Sequence, residues 1–181
     1  MKATGIVRRI DDLGRVVIPK EIRRTMRIRE GDPLEIYTDK DGEVIFKKYS
    51  PMGELSPFAA QLCETLGKST GALVCICDRD TIIATHGLPS RELLEKRVGE
   101  DLEKIMEGRL VYHYTEESSV KFPVSDGIDK YYLGIAAPII TEGDISGAVI
   151  FLLKENSEPF AELEHKLAQM VASFLGKQME S

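Results

Sequence analysis

Arg8-Arg9-Ile10-Asp11-Asp12-Leu13-Gly14-Arg15-Val16-Val17-Ile18-Pro19-Lys20-Glu21-Ile22-Arg23-Arg24 decides how the first part of this chain is read. Arg15 to Ile18 is β-branched and strand-like, and Pro19 cannot extend a ladder. Asp11 to Gly14 has turn composition, with Gly14 free to take a positive φ. Thr4 to Ile10 reads as a strand before that turn. Lys20 to Arg27 reads as a helix, because Ile22 and Met26 stand one turn apart on one face. Arg23, Arg24 and Arg27 project elsewhere. Leu34 to Asp39 and Glu43 to Lys48 are strands around Lys40-Asp41-Gly42, a strong hairpin signal.

Such a small unit with one short helix buries little core alone. Yet Ile6, Val7, Ile10, Val16, Val17, Ile18, Ile22, Ile28, Leu34, Ile36, Val44, Ile45 and Phe46 are too many apolar residues to leave wet. The simplest remedy is a second copy, so this segment is expected to dimerise.

Charge separates the chain into two parts. Residues 1–48 hold 12 Lys and Arg against 9 Asp and Glu, a net of +3. Residues 49–181 hold 12 against 21, a net of −9. The basic excess is densest over 8–29, with 8 basic and 3 acidic residues. An acidic chain with a local basic stripe suits a nucleic-acid-binding module joined to a part that does not bind nucleic acid.

The 181 residues are 43% hydrophobic and 30% charged, a globular composition. No apolar run approaches the roughly 18 to 20 residues that span a bilayer. The opening residues lack an apolar signal core, so a cytoplasmic location is expected. Three cysteines make a poor disulfide framework and fit a reducing compartment.

The composition shift falls at Ser50-Pro51-Met52-Gly53. The expected domains are 1–50 and 56–181, with 51–55 as a linker too short for a free tether. The second domain opens with a helix carrying Leu55, Phe58, Ala59, Leu62, Cys63 and Leu66 at helical spacing. Ala72 to Cys77 and Thr81 to Thr85 are strands. Ser90 to Arg97 and Glu100 to Glu107 are helical, and Leu110 to Tyr114 is a further strand. Tyr131 to Ile140 and Ile145 to Leu153 are long apolar strands. The last element is a helix with Phe160, Leu163, Leu167, Met170 and Phe174 spaced three and four apart, widened by Val171 and Leu175. The chain is therefore α+β with two domains.

From Lys2 through Met26, and on through Gly31-Asp32-Pro33-Leu34-Glu35-Ile36 to Lys47-Lys48-Tyr49, the chain closely resembles the AbrB-type transition-state regulators of Gram-positive bacteria. The resemblance implies a swapped-hairpin β-barrel, dimeric, in which two chains interleave four strands each. It also implies double-stranded DNA as partner. Arginines matching Arg8, Arg15, Arg23 and Arg24 line the DNA-facing surface of the family, Arg9 matches a basic position there, and Lys2 is a flanking candidate. Arginine suits the task because it stays charged and presents a planar fork of donors. Arg27 and Arg29 are left as surface or ion-paired residues. The element order of the second domain looks like a GAF domain, a GAF-like α/β sandwich for sensing or oligomerisation. The resemblance, taken with the two-domain arrangement, implies sporulation control, with activation and repression in the forespore. MazE-type antitoxins share the head and are the alternative reading, a DNA-binding autoregulator. Their tail is short and disordered, whereas this one reads as folded.

No catalytic constellation is visible, so no enzyme is expected. Asp11 and Asp12 lie in a turn beside arginines and are expected to cap it and orient Arg side chains. Cys75 and Cys77 share a strand face, but metal spacing is lacking and buried thiols are expected, with redox sensing a minor alternative. His113, between Tyr112 and Tyr114, is a pocket candidate, and a half-buried strand explains it equally well. No cofactor is expected beyond an unidentified small ligand of the GAF-like domain, and the cyclic-nucleotide signature Asn-Lys-Phe-Asp-Glu is absent. The stripe on the last helix is either core or a helix-pairing seam, its alternation favouring a partly intermolecular role, and pairing through both domains would give a tetramer.

Overall fold

The computed structural model describes residues 4–118 and 120–180, and forms two compact units that meet in sequence between Tyr49 and Ser50. Lys2 lies outside the described residues.

In the first unit, helix α1 (Lys20–Met26) starts directly after Pro19. It ends where Arg27 turns left-handed at φ 50°, and the Ile28 amide then donates to the Arg23 carbonyl at 2.8 Å. Strands β1 (Leu34–Thr38) and β2 (Val44–Lys48) pair antiparallel from Leu34↔Lys48 to Thr38↔Val44. Asp39 Oδ1 fixes the hairpin loop by accepting the Asp41 and Glu43 amides at 3.0 and 2.9 Å.

The expectation of strands at Thr4–Ile10 and Arg15–Ile18 is corrected for the single chain, where neither forms a ladder. A strand exists only against a partner strand, and this chain offers them none. Their apolar side chains are left in water: Val7 is 84% exposed, and Ile10, Val16 and Val17 are exposed too.

The second unit holds a five-stranded sheet of order β4-β3-β7-β6-β5 with antiparallel neighbours. It opens with α2 (Pro51–Glu54), so part of the segment read as a linker is helical and its Met52 is fully buried. There follow α3 (Ser56–Thr70), β3 (Leu73–Asp78), β4 (Ile82–His86), α4 (Ser90–Leu93), α5 (Glu100–Gly108), β5 (Tyr112–His113), β6 (Tyr132–Thr141), β7 (Asp144–Leu153) and α6 (Glu162–Gln178). Helices α3 and α6 cover one face, over Val74, Ile76, Ile135, Val149 and Phe151. Elements α4 and α5 cover the other, over Cys75, Cys77, Leu133, Ala148 and Ile150. Alternation along β3 sends its cysteines to one face and its Val and Ile to the other.

The helix expected over Ser90 to Arg97 stops at Leu93. Leu94 turns extended and Glu95 takes φ 62°, so the chain runs back along β4. There the Glu95 amide donates to Ile82 and the Ile82 amide to Lys96, at 2.8 and 2.9 Å. Edge pairing outcompetes helix continuation. The strand expected over Leu110 to Tyr114 is cut to Tyr112–His113, paired with Ala136 and Ile135 of β6; the Tyr114 amide adds one bond, to the Gly134 carbonyl at 2.7 Å, and on the other side the register leads to Pro138, which has no N–H to donate.

Helix α6 begins past Phe160, with the Ala161 amide donating to Glu164. Ala168, Val171, Ala172 and Leu175 are buried against the sheet. Leu163, Met170 and Phe174 stay exposed on another side. The helix is thus apolar on two faces, of which the sheet covers one.

Candidate nucleic-acid interface

Arg8, Arg9, Arg15, Arg23 and Arg24 are all exposed. The first three flank the turn at residues 11–14, and the last two sit in the final turn of α1. A helix C-terminus favours cations, which suits that placement. Arg8, Arg9, Arg23 and Arg24 form no ion pair among the described residues, so their charge is available to an anion.

Arg15 is held differently. Its Nε donates to Asp11 Oδ2 at 2.8 Å. Asp11 Oδ1 accepts the Leu13 and Arg15 amides at 3.0 and 2.8 Å. Two backbone bonds close the turn, from the Asp11 amide to Arg15 and from the Gly14 amide to Asp11, both at 3.0 Å. Gly14 takes φ +76° there, which a side chain would strain. The Arg15 amide, then its guanidinium, holds the Asp11 carboxyl below its ordinary value. Asp11 therefore caps the turn and holds an arginine, as expected of it.

Arg27 and Arg29 belong to the scaffold: both are half-buried, and the Arg29 amide donates to Asp32 Oδ2 at 2.8 Å. Sequence reasoning missed Lys48. Its Nζ donates to the Arg27 carbonyl at 3.0 Å and lies 3.8 Å from Asp32, so it ties β2 to the end of the helix that carries Arg23 and Arg24. A contact across 21 residues leaves no local signal in the sequence.

The second unit offers little chemistry. All three thiols are free and buried. Burial pushes Cys63 up to about 12 and raises Cys75 and Cys77 as well, so none is a ready thiolate. Among the described residues no group of three or more His, Cys, Asp and Glu could hold a metal ion. His113 donates through Nε2 to the Phe160 carbonyl at 2.8 Å and stacks on His165 at 5.2 Å, an arrangement that anchors the start of α6. A cleft of about 430 Å³ lies between β6 and α6, lined by Val111, Ala137, Ile140, Ser173 and Lys177 among others.

Comparison with known proteins follows the same division. The family described as stage V sporulation protein T C-terminal, transcription factor, matches residues 54–180. The family described as antidote-toxin recognition MazE, bacterial antitoxin, matches residues 7–53. Stage V sporulation protein T of Bacillus subtilis is 50% identical over 182 residues, covering 99% of both chains. The transition state regulatory protein AbrB of Bacillus subtilis is 65% identical over 51 residues, covering 28% of this chain and 52% of its own. The GAF domain of a phosphoenolpyruvate-protein phosphotransferase from Coxiella burnetii aligns with a TM-score of 0.54 at 19% identity, covering 69% of this chain and 82% of that one. That last likeness is one of fold.

Proposed function

This chain belongs to the stage V sporulation protein T family of transcription factors, and from that premise we propose that it activates and represses sporulation genes in the forespore by binding double-stranded DNA through its first unit. The observation that carries the reading is the exposed arginine set on the AbrB-like segment, four of its members free of ion pairs among the described residues. Arg8, Arg15, Arg23 and Arg24 make the main contacts, with Arg9 and Lys2 beside them. The antitoxin alternative is disfavoured, because the likeness to MazE stops at residue 53 and residues 54–180 match the transcription-factor family. The protein acts without catalysis. Its GAF-like unit serves assembly, with ligand sensing as a second use.

If each of two chains places about four of these six basic groups on phosphate, the logarithm of affinity should fall with that of salt at a slope near −7, from roughly −0.9 per contact. Arg24→Ala removes one such contact per chain. It should lower affinity about ten-fold or more, and make the slope shallower by about 2, with the fold intact. Titrations at several salt concentrations check this. A wild-type slope shallower than about −3 would place the arginines off the backbone.

The exposed apolar residues of 4–18 support a paired head: two chains supply each other's missing ladders. A fragment of residues 1–50 should therefore be dimeric and should unfold as it dissociates. Concentration-dependent circular dichroism with sedimentation tests it. A folded monomer at micromolar concentration contradicts the pairing.

A further inference from the structure

We propose that Asp11 is a specificity-determining positioning residue, which holds the Arg15 guanidinium for a base edge and against the phosphate backbone. The inference rests on the reading of Arg15 as a DNA-contacting residue.

The carboxylate is fixed before any ligand arrives. Two amides grip one oxygen, and the turn around it is closed by two more backbone bonds. The other oxygen takes Nε of Arg15 at 2.8 Å. Arg15 is 68% exposed, so without this bond its long side chain would sample many rotamers. With Nε engaged, the guanidinium plane is set by the turn and its Nη groups are left for a ligand. Among the described residues they have no protein partner.

Two electrostatic effects then act in the same direction. A carboxylate beside the DNA repels every phosphate, whatever the sequence. It also diminishes the pull of Arg15 toward the backbone. Both weaken non-specific binding, which is almost wholly electrostatic. In return, a plane held through Nε can present paired Nη donors to paired acceptors. Guanine offers such a pair in the major groove, O6 and N7. A loosely held arginine gains less from that match, because it must be ordered at the moment of binding. The carboxylate thus trades affinity for any DNA against discrimination between sequences. A purely structural turn-capping role predicts no such trade.

Asp11→Asn separates the two roles. An asparagine oxygen still accepts the Leu13 and Arg15 amides, so the turn is kept while the charge is lost. The full-length protein is titrated with a duplex selected by the unaltered protein from a random pool, and with a scrambled duplex of equal length. Asp11→Asn should tighten scrambled-duplex binding about three-fold or more, steepen the salt slope by about 1 to 2 as Arg15 moves to phosphate, and cut the selected-to-scrambled ratio about ten-fold. In an Arg15→Ala background the same substitution should leave that ratio as it was. An unchanged ratio in the Arg15 background, or an equal fall in the Arg15→Ala background, overturns the positioning role. If Arg15→Ala alone alters neither affinity, the reading of Arg15 as a DNA contact falls instead. Asp11→Ser, which keeps a short acceptor for the turn, should repeat the Asp11→Asn result. Loss of binding to both duplexes in both variants, with a lowered unfolding midpoint, would assign Asp11 to folding and refute the proposal.

Discussion

Met170→Glu should lower the assembly state of the full-length protein and weaken its binding to long operator DNA by about 10²- to 10⁴-fold, the usual gain from holding two sites together. Met170 is 60% exposed in the single chain, so its replacement costs the fold of its own unit almost nothing. Leu163 and Phe174 lie exposed on the same helix, and Phe58 of α3 meets Phe174 at 5.8 Å. An exposed apolar strip of this kind on α6 suits burial against another surface, and in the assembly proposed here a second copy would supply a matching one. A glutamate in that seam would have to be buried unpaired, which is costly. Leu167→Glu is a less selective test, because Leu167 also packs on the core. Affinity of a head-only fragment for a short site should not depend on the seam. Sedimentation of the variant beside titrations on long and short DNA decides the matter. An unchanged oligomer removes the seam assignment, and a smaller oligomer with full affinity removes the avidity argument.

Gly147→Val should unfold or severely destabilise the second unit, by about 4 kcal/mol or more. Gly147 lies on β7, the central strand, and pairs with Asp78 at the last rung of the β3–β7 ladder. A Cβ there would stand 2.0 Å from the Cys77 carbonyl oxygen and 3.1 Å from the Asp78 Cα. Both are backbone atoms, which cannot swing aside as a side-chain tip does. Relief would require parting the end of β3 from β7, and both strands carry core side chains on each face of the sheet. Gly147→Ala carries the same Cβ and should be nearly as harmful. The contrast is Gly143→Ala in the β6–β7 turn, where a Cβ meets nothing within 4 Å and only the positive φ of 88° is strained. Thermal unfolding should place the Gly147 variants lower by about 10 °C or more, and the Gly143 variant by a few degrees. Equal midpoints for the two positions would contradict the close approach.

Elements with their own complete pattern could be read from sequence. Helix α6 carries apolar residues at 3.6-residue spacing over five turns, and β6 and β7 are long runs joined by a Gly-containing turn. Asp39 to Glu43 announced its hairpin through Asp-Gly. The misread segments are those whose conformation is decided elsewhere in space. Residues 94–97 look helical but are captured by the free edge of β4. Residues 110–114 look like a strand, but their ladder on β6 holds two pairs and its register leads to Pro138. Residues 4–10 and 15–18 have strand chemistry and no strand in their own chain to pair with. The site divides likewise. Charge density and the family motif pointed to the arginines, and turn composition to Asp11. The Lys48 tether stayed hidden, because nothing local marks a side chain that reaches back across 21 residues.

The want of a ladder for residues 4–18 carries a genetic meaning. In the pairing proposed above, hairpins would complete one another through apolar strand chemistry and would not consult the arginines beside them. A copy of this protein that keeps Val7, Ile10, Val16 and Val17 but has lost Arg15 and Arg24 would then still be an acceptable partner for an intact copy. Mixed pairs then form in proportion to supply, each with half its contacts. In a cell expressing both alleles equally, only about one pair in four is wholly intact, the outcome of random pairing. An arginine-deficient allele should therefore behave as dominant, whereas one that cannot form the hairpin should be recessive.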